Sequence, residues 1–116
     1  MQPVNLAEKL TKVTDHWSPK IVARYNDNDI MVVKVQGEFV WHSHEDTDDF
    51  FLVLRGRLTI RTERGDVELT PGEMFVVPSG VSHCPVAEEE THLLLIEPAG
   101  TPNTGDPATA VTKLEI

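Results

Sequence analysis

Residues 37–56, GEFVWHSHEDTDDFFLVLRG, contain the pattern that decides both the fold and the chemistry of this chain. In extended backbone successive side chains point to opposite faces, so His42 and His44 are expected to project to the same side. Two imidazoles on one face are suited to hold a single divalent ion, and Asp49 follows closely in the chain. A third imidazole, His83, lies on a later segment. The pattern therefore predicts a mixed nitrogen and oxygen site for a divalent transition metal.

Short β-rich stretches separated by turn residues surround this segment and predict an all-β body. The breaks contain Gly, Pro, Asn and acidic residues, which are typical of turns. The predicted strands are Ile21–Tyr25, Ile30–Gln36, Glu38–His44, Phe50–Arg55, Arg57–Thr62, Asp66–Leu69, Met74–Val77, Val81–Val86 and His92–Glu97. About nine short strands at this spacing indicate an antiparallel sandwich or barrel.

The two ends of the chain have different patterns. Asn5 and Glu8 have the spacing of a capping box, and an apolar stripe follows at helical spacing until Ser18-Pro19. The stripe consists of Leu6, Leu10, Val13 and Trp17. At the other end, Pro98–Ala110 has the composition of a loop, and Val111–Ile116 is able to add an edge strand. We therefore expect one domain over 1–116, with a helical segment (1–19), a β body (20–97) and a tail (98–116).

Composition and charge narrow the classes of partner. The net charge of −9 argues against nucleic-acid and anionic-membrane partners, because phosphate binding requires a basic surface. The single cysteine, Cys84, excludes an intrachain disulfide and a Cys-rich zinc motif. The N-terminus has neither the basic region nor the apolar run of a secretory signal, and no apolar run is long enough for a bilayer. A cytoplasmic location is the resulting expectation.

Strand alternation also predicts an apolar outer face. If His42, His44 and Asp49 point inward, five large apolar side chains of the same segment point outward: Phe39, Trp41, Phe50, Leu52 and Leu54. Such a patch is larger than a typical monomer exposes. Either the N-terminal helix or a second subunit has to cover it, and we expect a homodimer.

Written out, the two metal-site segments are Gly37-x4-His42-x-His44-x4-Asp49-x6-Gly56 and Gly72-x5-Pro78-x-Gly80-x2-His83. Both resemble the two signature motifs of the cupin superfamily, in the same order and with the short separation of small microbial single-domain cupins. The resemblance covers roughly Ile30 to Glu97. It implies a small antiparallel jelly-roll barrel with one divalent metal (Fe, Mn, Ni, Zn or Cu) in its lumen. It also implies that His42, His44 and His83 are metal ligands and that Asp49 occupies the place of the family's glutamate.

Three positions depart from the family pattern. Gly37 lies one residue closer to His42 than the commonest spacing, and Ala87 stands where the second motif usually has asparagine. Asp49 is one CH₂ shorter than glutamate, about 1.5 Å of reach. It therefore either binds the metal directly or holds a metal-bound water.

Other polar residues are assigned structural roles. His16 and His92 match no motif position, although His92 is placed where it could line the lumen. The acidic run 45–49 lacks the glycine and terminal glutamate of an EF-hand and is interpreted as a solvated turn that ends in Asp49. Cys84 adjoins His83, should face the other way, and is interpreted as a small buried hydrophobe.

The function implied by the resemblance is metal-dependent chemistry on an oxygen-rich small molecule. Dioxygenase, Lewis-acid, isomerase and decarboxylase activities all occur in cupins. No titratable group beyond the ligands can be identified as a general base from the sequence, which disfavours a sugar or keto-acid isomerase. A non-catalytic metal-binding or ligand-sensing cupin is the alternative from a different class.

Overall fold

The computed structural model describes all 116 residues, and its regular secondary structure consists almost entirely of strands. One short helix, α1 (Leu6–Leu10), precedes eight strands. The strands are β1 (Lys20–Tyr25), β2 (Asn28–Glu38), β3 (Asp49–Arg55), β4 (Leu58–Thr62), β5 (Gly65–Leu69), β6 (Met74–Val77), β7 (His83–Pro98) and β8 (Leu114–Glu115). No helix has the length and apolar character needed to cross a bilayer.

The long strand β7 organises the sheet. It pairs antiparallel with β4 through its first residues, with β2 along most of its length, and with β3 through its later residues. The hydrogen-bonded order is β5-β4-β7-β2-β1-β8, and β3 joins β6 to β7. The sheet curves round a core. It does not close into a barrel, because β5, β6 and β8 each have one edge without a partner strand. The all-β jelly-roll class predicted from the sequence is confirmed, with a sheet that is not a closed barrel.

Inward-pointing residues of the sheet form one core. They recur at every second position, as the pleat requires. The cluster consists of Ile21, Met31, Val33, Val35, Phe51, Val53, Leu58, Ile60, Leu69, Val77, Val81, Ala87, Leu93 and Leu95. The ligand-bearing segments border this core, so their side chains are directed into an apolar interior.

The N-terminal segment differs from the prediction. Asn5 caps the helix as expected, with its side chain accepting a hydrogen bond from the Glu8 N–H at 3.0 Å, but α1 ends at Leu10. Leu10 and Val13 pack on Val32 in a small second cluster. Trp17 lies beyond the helix in a left-handed conformation (φ 60°), with its N–H bonded to the Lys34 carbonyl. The predicted stripe was therefore correct for the first residues and wrong for Trp17.

Two strand boundaries also differ. The predicted break at 88–90 does not exist, because β7 continues through the three glutamates with their side chains exposed to solvent. The predicted strand Glu38–His44 is absent as a regular element, since β2 ends at Glu38 and only His42 forms an isolated bridge to His83. At the C-terminus, β8 adds to the sheet as expected, in parallel pairing with β1.

Candidate metal centre

The four predicted ligands meet in one place, which we call the ligand cluster: His42, His44, Asp49 and His83. Each offers one ligand atom, and these atoms all lie within 4.8 Å of one another. Two backbone hydrogen bonds fix the approach of the two motifs: His42 N–H donates to the His83 carbonyl at 3.0 Å, and His83 N–H to the His42 carbonyl at 2.8 Å. A bridge between distant segments therefore joins the two halves of the site.

The backbone also sets which ring nitrogen is available. Nδ1 of His42 donates to the Val40 carbonyl and Nδ1 of His83 donates to the Val81 carbonyl, both at 2.9 Å. Because a carbonyl only accepts, each Nδ1 carries the hydrogen, and Nε2 is the nitrogen left for an ion. A ring held by its other nitrogen is the usual arrangement of a metal-binding histidine.

Asp49, the first residue of β3, places its carboxylate among the imidazoles. Its Oδ2 lies 2.9 Å from Nε2 of His83 and 3.3 Å from Nε2 of His44. Two ligands at the usual 2.0–2.2 Å from one ion and at right angles to each other are about 3 Å apart. The donor atoms and their spacing therefore fit a divalent transition metal.

Burial and mutual contact shift the charges of the cluster. Burial lowers the pKa of His42 to about 4, so this ring is neutral near pH 7. Burial alone would lower the pKa of His44, but the hydrogen bond and charge of Asp49 outweigh burial and raise it above its ordinary value. Burial alone would raise the pKa of Asp49, but hydrogen bonds from His44 and His83 outweigh it and lower the pKa to about 2. The carboxylate is therefore ionised throughout the physiological range.

Three of the four ligands, His42, His44 and Asp49, line a cavity that is open to solvent and whose enclosed space is small, about 40 Å³. Half of its lining residues are hydrophobic. The lining consists of Trp17, Pro19, Val33, Val35, Phe39, His42, His44, Asp49, Phe51, Pro85, Leu93, Leu95, Glu97 and Asn103. Phe51 lines the cavity because it has the same strand parity as Asp49 on β3.

Phe39 corrects the alternation argument. It was expected on the outer face, but it lies in the cavity wall, with its ring stacked on Trp17 at 4.8 Å and edge-on to His42 at 5.3 Å. The reason is local: Val40 and Trp41, two successive residues, are both exposed, so strict alternation fails between the end of β2 and His42. The other outward assignments agree with the structure, since Trp41 is exposed and Phe50, Leu52 and Leu54 are half-buried.

The cavity residues that the sequence reasoning missed include Trp17, Glu97 and Asn103. Glu97 ends the inward-facing row of β7 and is only 3 % exposed. Burial, followed by the negative charge of Asp49, raises the pKa of Glu97 to about 7. Its position after Leu93 and Leu95 at the same parity is the signal that could have identified it. Glu97 is therefore a titratable group beside the ligands that the sequence analysis did not identify.

The remaining candidates lie outside the site, as predicted. His16 and His92 both contact the carboxylate of the exposed Glu90, at 2.9 and 3.2 Å. Cys84 is fully buried, and burial raises the pKa of its thiol. Within the acidic run, Asp48 accepts a hydrogen bond from the Ser79 N–H at 2.9 Å and so joins the two loops beside the site.

Comparison with known proteins agrees with this geometry. The model of the cupin domain family matches residues 29–97, which include both motifs and the whole ligand cluster. The chain belongs to the cupin family. A cupin-2 domain containing protein from Shewanella frigidimarina, known from its crystal structure, is 45% identical in sequence. The match covers 82% of this chain and 93% of the Shewanella chain, and the two superpose with a TM-score of 0.80.

Two further proteins show the range of the likeness. The uncharacterised protein YdbB of Bacillus subtilis is 28% identical over 80 residues, which are 68% of this chain and 71% of YdbB. Hydroquinone 1,2-dioxygenase from Sphingomonas, solved with 4-hydroxybenzoate, is 18% identical with a TM-score of 0.77. The match covers 92% of this chain but 33% of the dioxygenase, and at this identity it shows the fold alone.

Proposed function

We propose that this cupin is a metal-dependent enzyme that acts on an oxygen-rich small molecule, with dioxygenase-type or Lewis-acid chemistry. The observation that carries the proposal is the convergence of three imidazole nitrogens and one carboxylate oxygen within 4.8 Å at the wall of an apolar cavity. Buried carboxylate–imidazole clusters that face a cavity are typical of functional sites. The fold of the Sphingomonas dioxygenase makes oxygen chemistry compatible with this architecture.

Each residue of the ligand cluster has a role in the proposal. His42 and His83 present Nε2 because their Nδ1 atoms are held by carbonyls, and Asp49 adds an ionised oxygen. We propose Asp49 as a direct ligand, because its Oδ2 already lies among the ring nitrogens. A divalent ion held there supplies Lewis acidity or, if redox-active, a site for oxygen. The apolar wall excludes water from the bound molecule.

Metal identity and oxygen uptake test the proposal together. We expect protein purified without added metal to carry, or take up on titration, close to one equivalent of transition metal per chain. Oxygen consumption by the iron- or copper-loaded protein against diketones, phenols and keto-acids then separates oxygenase from redox-inert chemistry. Metal uptake without turnover of any compound would favour the non-catalytic binding alternative, and less than about a tenth of an equivalent would reject the metal site.

A sugar or keto-acid isomerase is the second candidate, and Glu97 is the observation that favours it. A carboxyl with a pKa of about 7 in the cavity is suited to move a proton to and from a carbon beside a carbonyl. Exchange of substrate hydrogen with deuterium from solvent, followed by NMR on the zinc-loaded protein, would distinguish this chemistry from oxygen chemistry.

We further propose that the chain forms a homodimer through the outer face of the sheet. The small cluster formed by Leu10 and Val13 covers Val32 and Leu54 on the outer face of the sheet. Two rows of apolar side chains next to this cluster stay partly exposed. Cross-strand pairing aligns Ile30, Ile96, Phe50 and Val76 in one row and Leu94, Leu52 and Met74 in the next. In a chain of net charge −9, two rows of uncharged side chains are the place where two copies approach with least repulsion.

Mass in solution tests the dimer. We expect light scattering to give twice the chain mass, and Leu52→Glu to give the chain mass with the β-rich circular dichroism spectrum retained. Thr59→Glu, on the half-buried outer side of β4, is the matched control and should remain dimeric. A wild-type monomer would reject the proposal.

A further inference from the structure

Glu97 is the ionisable residue of the cavity that does not belong to the ligand cluster. It projects from the penultimate position of β7 into the same cavity as His44 and Asp49, and its side chain is 4 % exposed. No hydrogen bond joins it to any of the four ligands. A carboxyl group held on a regular strand in an apolar wall is costly to bury, so it requires an explanation.

Only one of its two oxygens has a partner. Oε1 lies 3.6 Å from Nζ of Lys113, a residue of the tail, and Lys113 also donates to the Thr101 carbonyl. Oε2 is buried and has no hydrogen-bond partner, and it is the only buried side-chain oxygen or nitrogen of the chain in that state. Leaving such an atom unpaired costs about 1–3 kcal/mol. Native proteins rarely retain such an atom without a partner.

The surroundings of Glu97 indicate what that partner is. Asn103, from the tail, lines the same cavity, and the apolar part of the wall includes Leu93, Leu95 and Trp17. The partner therefore has to enter the cavity and bring a hydrogen-bond donor. Because the burial of Glu97 and the charge of Asp49 raise its pKa to about 7, the carboxylate form at higher pH is a strong acceptor for a hydroxyl.

We propose that Glu97, oriented by Lys113, is a second ligand-binding subsite that accepts a hydrogen bond from a hydroxyl group of the bound molecule through Oε2. The substrate class is then a small molecule with two oxygen functions, one for the metal and a free hydroxyl for Glu97, such as an ortho-diphenol or an α-hydroxy ketone. The position of the metal-bound oxygen rests on the proposed function, whereas the contact with Glu97 rests on the cavity alone.

Matched pairs of probes test the subsite. Catechol with 2-methoxyphenol, and hydroxyacetone with methoxyacetone, differ by a methyl group that removes one hydroxyl donor. Dissociation constants are measured by calorimetry on zinc-loaded protein at pH 8.5, where the carboxylate only accepts. In the wild type we expect the hydroxyl member of each pair to bind about tenfold more tightly or better. Glu97→Leu should abolish that preference and Glu97→Gln, which keeps a neutral acceptor, should reduce it.

Glu89→Leu is the matched control, because Glu89 lies on the same strand with its side chain in solvent. It should keep the wild-type preference. An unchanged preference in Glu97→Leu at full zinc content overturns the subsite, as does equal binding of both members of each pair by the wild type. Any steric effect of the methyl group would persist in Glu97→Leu and is thereby separated from the hydrogen bond.

A second measurement separates this inference from the metal proposal. Glutamate labelled with ¹³C at the carboxyl carbon gives a Glu97 signal, identified by its absence in Glu97→Gln. We expect this signal to shift when catechol or hydroxyacetone is added to the metal-free protein, while the Glu89 signal stays in place. Failure to bind zinc would reject the proposed function but not the subsite, and an unmoved Glu97 signal would reject the subsite.

Discussion

The ligand cluster and the wall that faces it from the chain ends are built in different ways. The cluster comes from the irregular segment with His42 and His44 and from the first residues of β3 and β7, and a pair of hydrogen bonds between His42 and His83 joins two of these segments. The wall, which we call the terminal wall, consists of Trp17 from the N-terminal segment and of Asn103 and Lys113 from the tail. Its residues lie in irregular backbone and contact the cavity or Glu97. Metal binding therefore depends on the hydrogen bonds that join the ligand segments. We expect ligand recognition to depend on the two ends of the chain.

The largest expected effect comes from removing a ligand. His44→Ala should lower metal affinity by more than about 100-fold, the upper range for residues that only support ligands. Metal content after dialysis and competition with a chelator measure the change. His16→Ala, which removes an exposed imidazole bound to Glu90, should leave metal affinity unchanged. Equal affinity of the two variants would remove His44 from the site.

A smaller loss is expected from neutralising the carboxylate. Asp49→Asn keeps the shape but removes the charge that raises the pKa of His44, and metal affinity should fall about 10- to 100-fold. The His44 pKa, followed by NMR in metal-free protein, should fall in the same variant. The exposed Asp46 offers the control Asp46→Asn. Wild-type metal affinity in Asp49→Asn would place the carboxylate outside the coordination sphere.

The pH dependence of stability tests the titration of Glu97, which contacts Lys113 of the terminal wall. The pKa of Glu97 is raised from 4.5 to about 7 on folding, so its contribution to stability is full below pH 4.5 and is lost as pH rises through about 7. Glu97→Gln, which cannot ionise, should remove this loss. Relative to wild type, the variant should therefore gain up to about 3 kcal/mol between pH 4.5 and 8, measured by urea denaturation of metal-free protein. A difference independent of pH would show that Glu97 does not titrate in this range.

The smallest effect concerns the contact between Gly105 of the tail and Ser43, the residue between the ligands His42 and His44. A Cβ at Gly105 would lie 2.2 Å from the Ser43 carbonyl oxygen, so Gly105→Ala must displace the tail and should cost about 1–3 kcal/mol. Gly100→Ala is the control, because Gly100 has a similar positive φ and open space around it. Thermal denaturation should separate the two variants, with metal affinity preserved in both. Equal melting temperatures would show that the tail is not held against Ser43.

The comparison also explains what the sequence could predict. His42, His44, Asp49 and His83 lie at spacings that a strand or a recognised motif converts directly into a shared face, and all four do meet in the structure. Phe39 and Trp17 followed the same rules of periodicity and were misplaced, because the backbone leaves regular geometry at Val40–Trp41 and at Trp17 (φ 60°). Asn103 and Lys113 have no periodic pattern at all, so only tertiary packing brings them to the cavity.

The pairing of β7 has a consequence for the order of folding. Its partners β2, β3 and β4 all precede it in the chain, so synthesis must pass residue 98 before the central ladders can form. Such long-range pairings are slow because the loops between the strands must close before any contact compensates for their entropy. His83 is the first residue of β7, so the metal site is complete only after β7 has formed. Until β7 pairs, the nascent chain holds three ligands without the fourth, and its apolar strands remain exposed to aggregation and to chaperones.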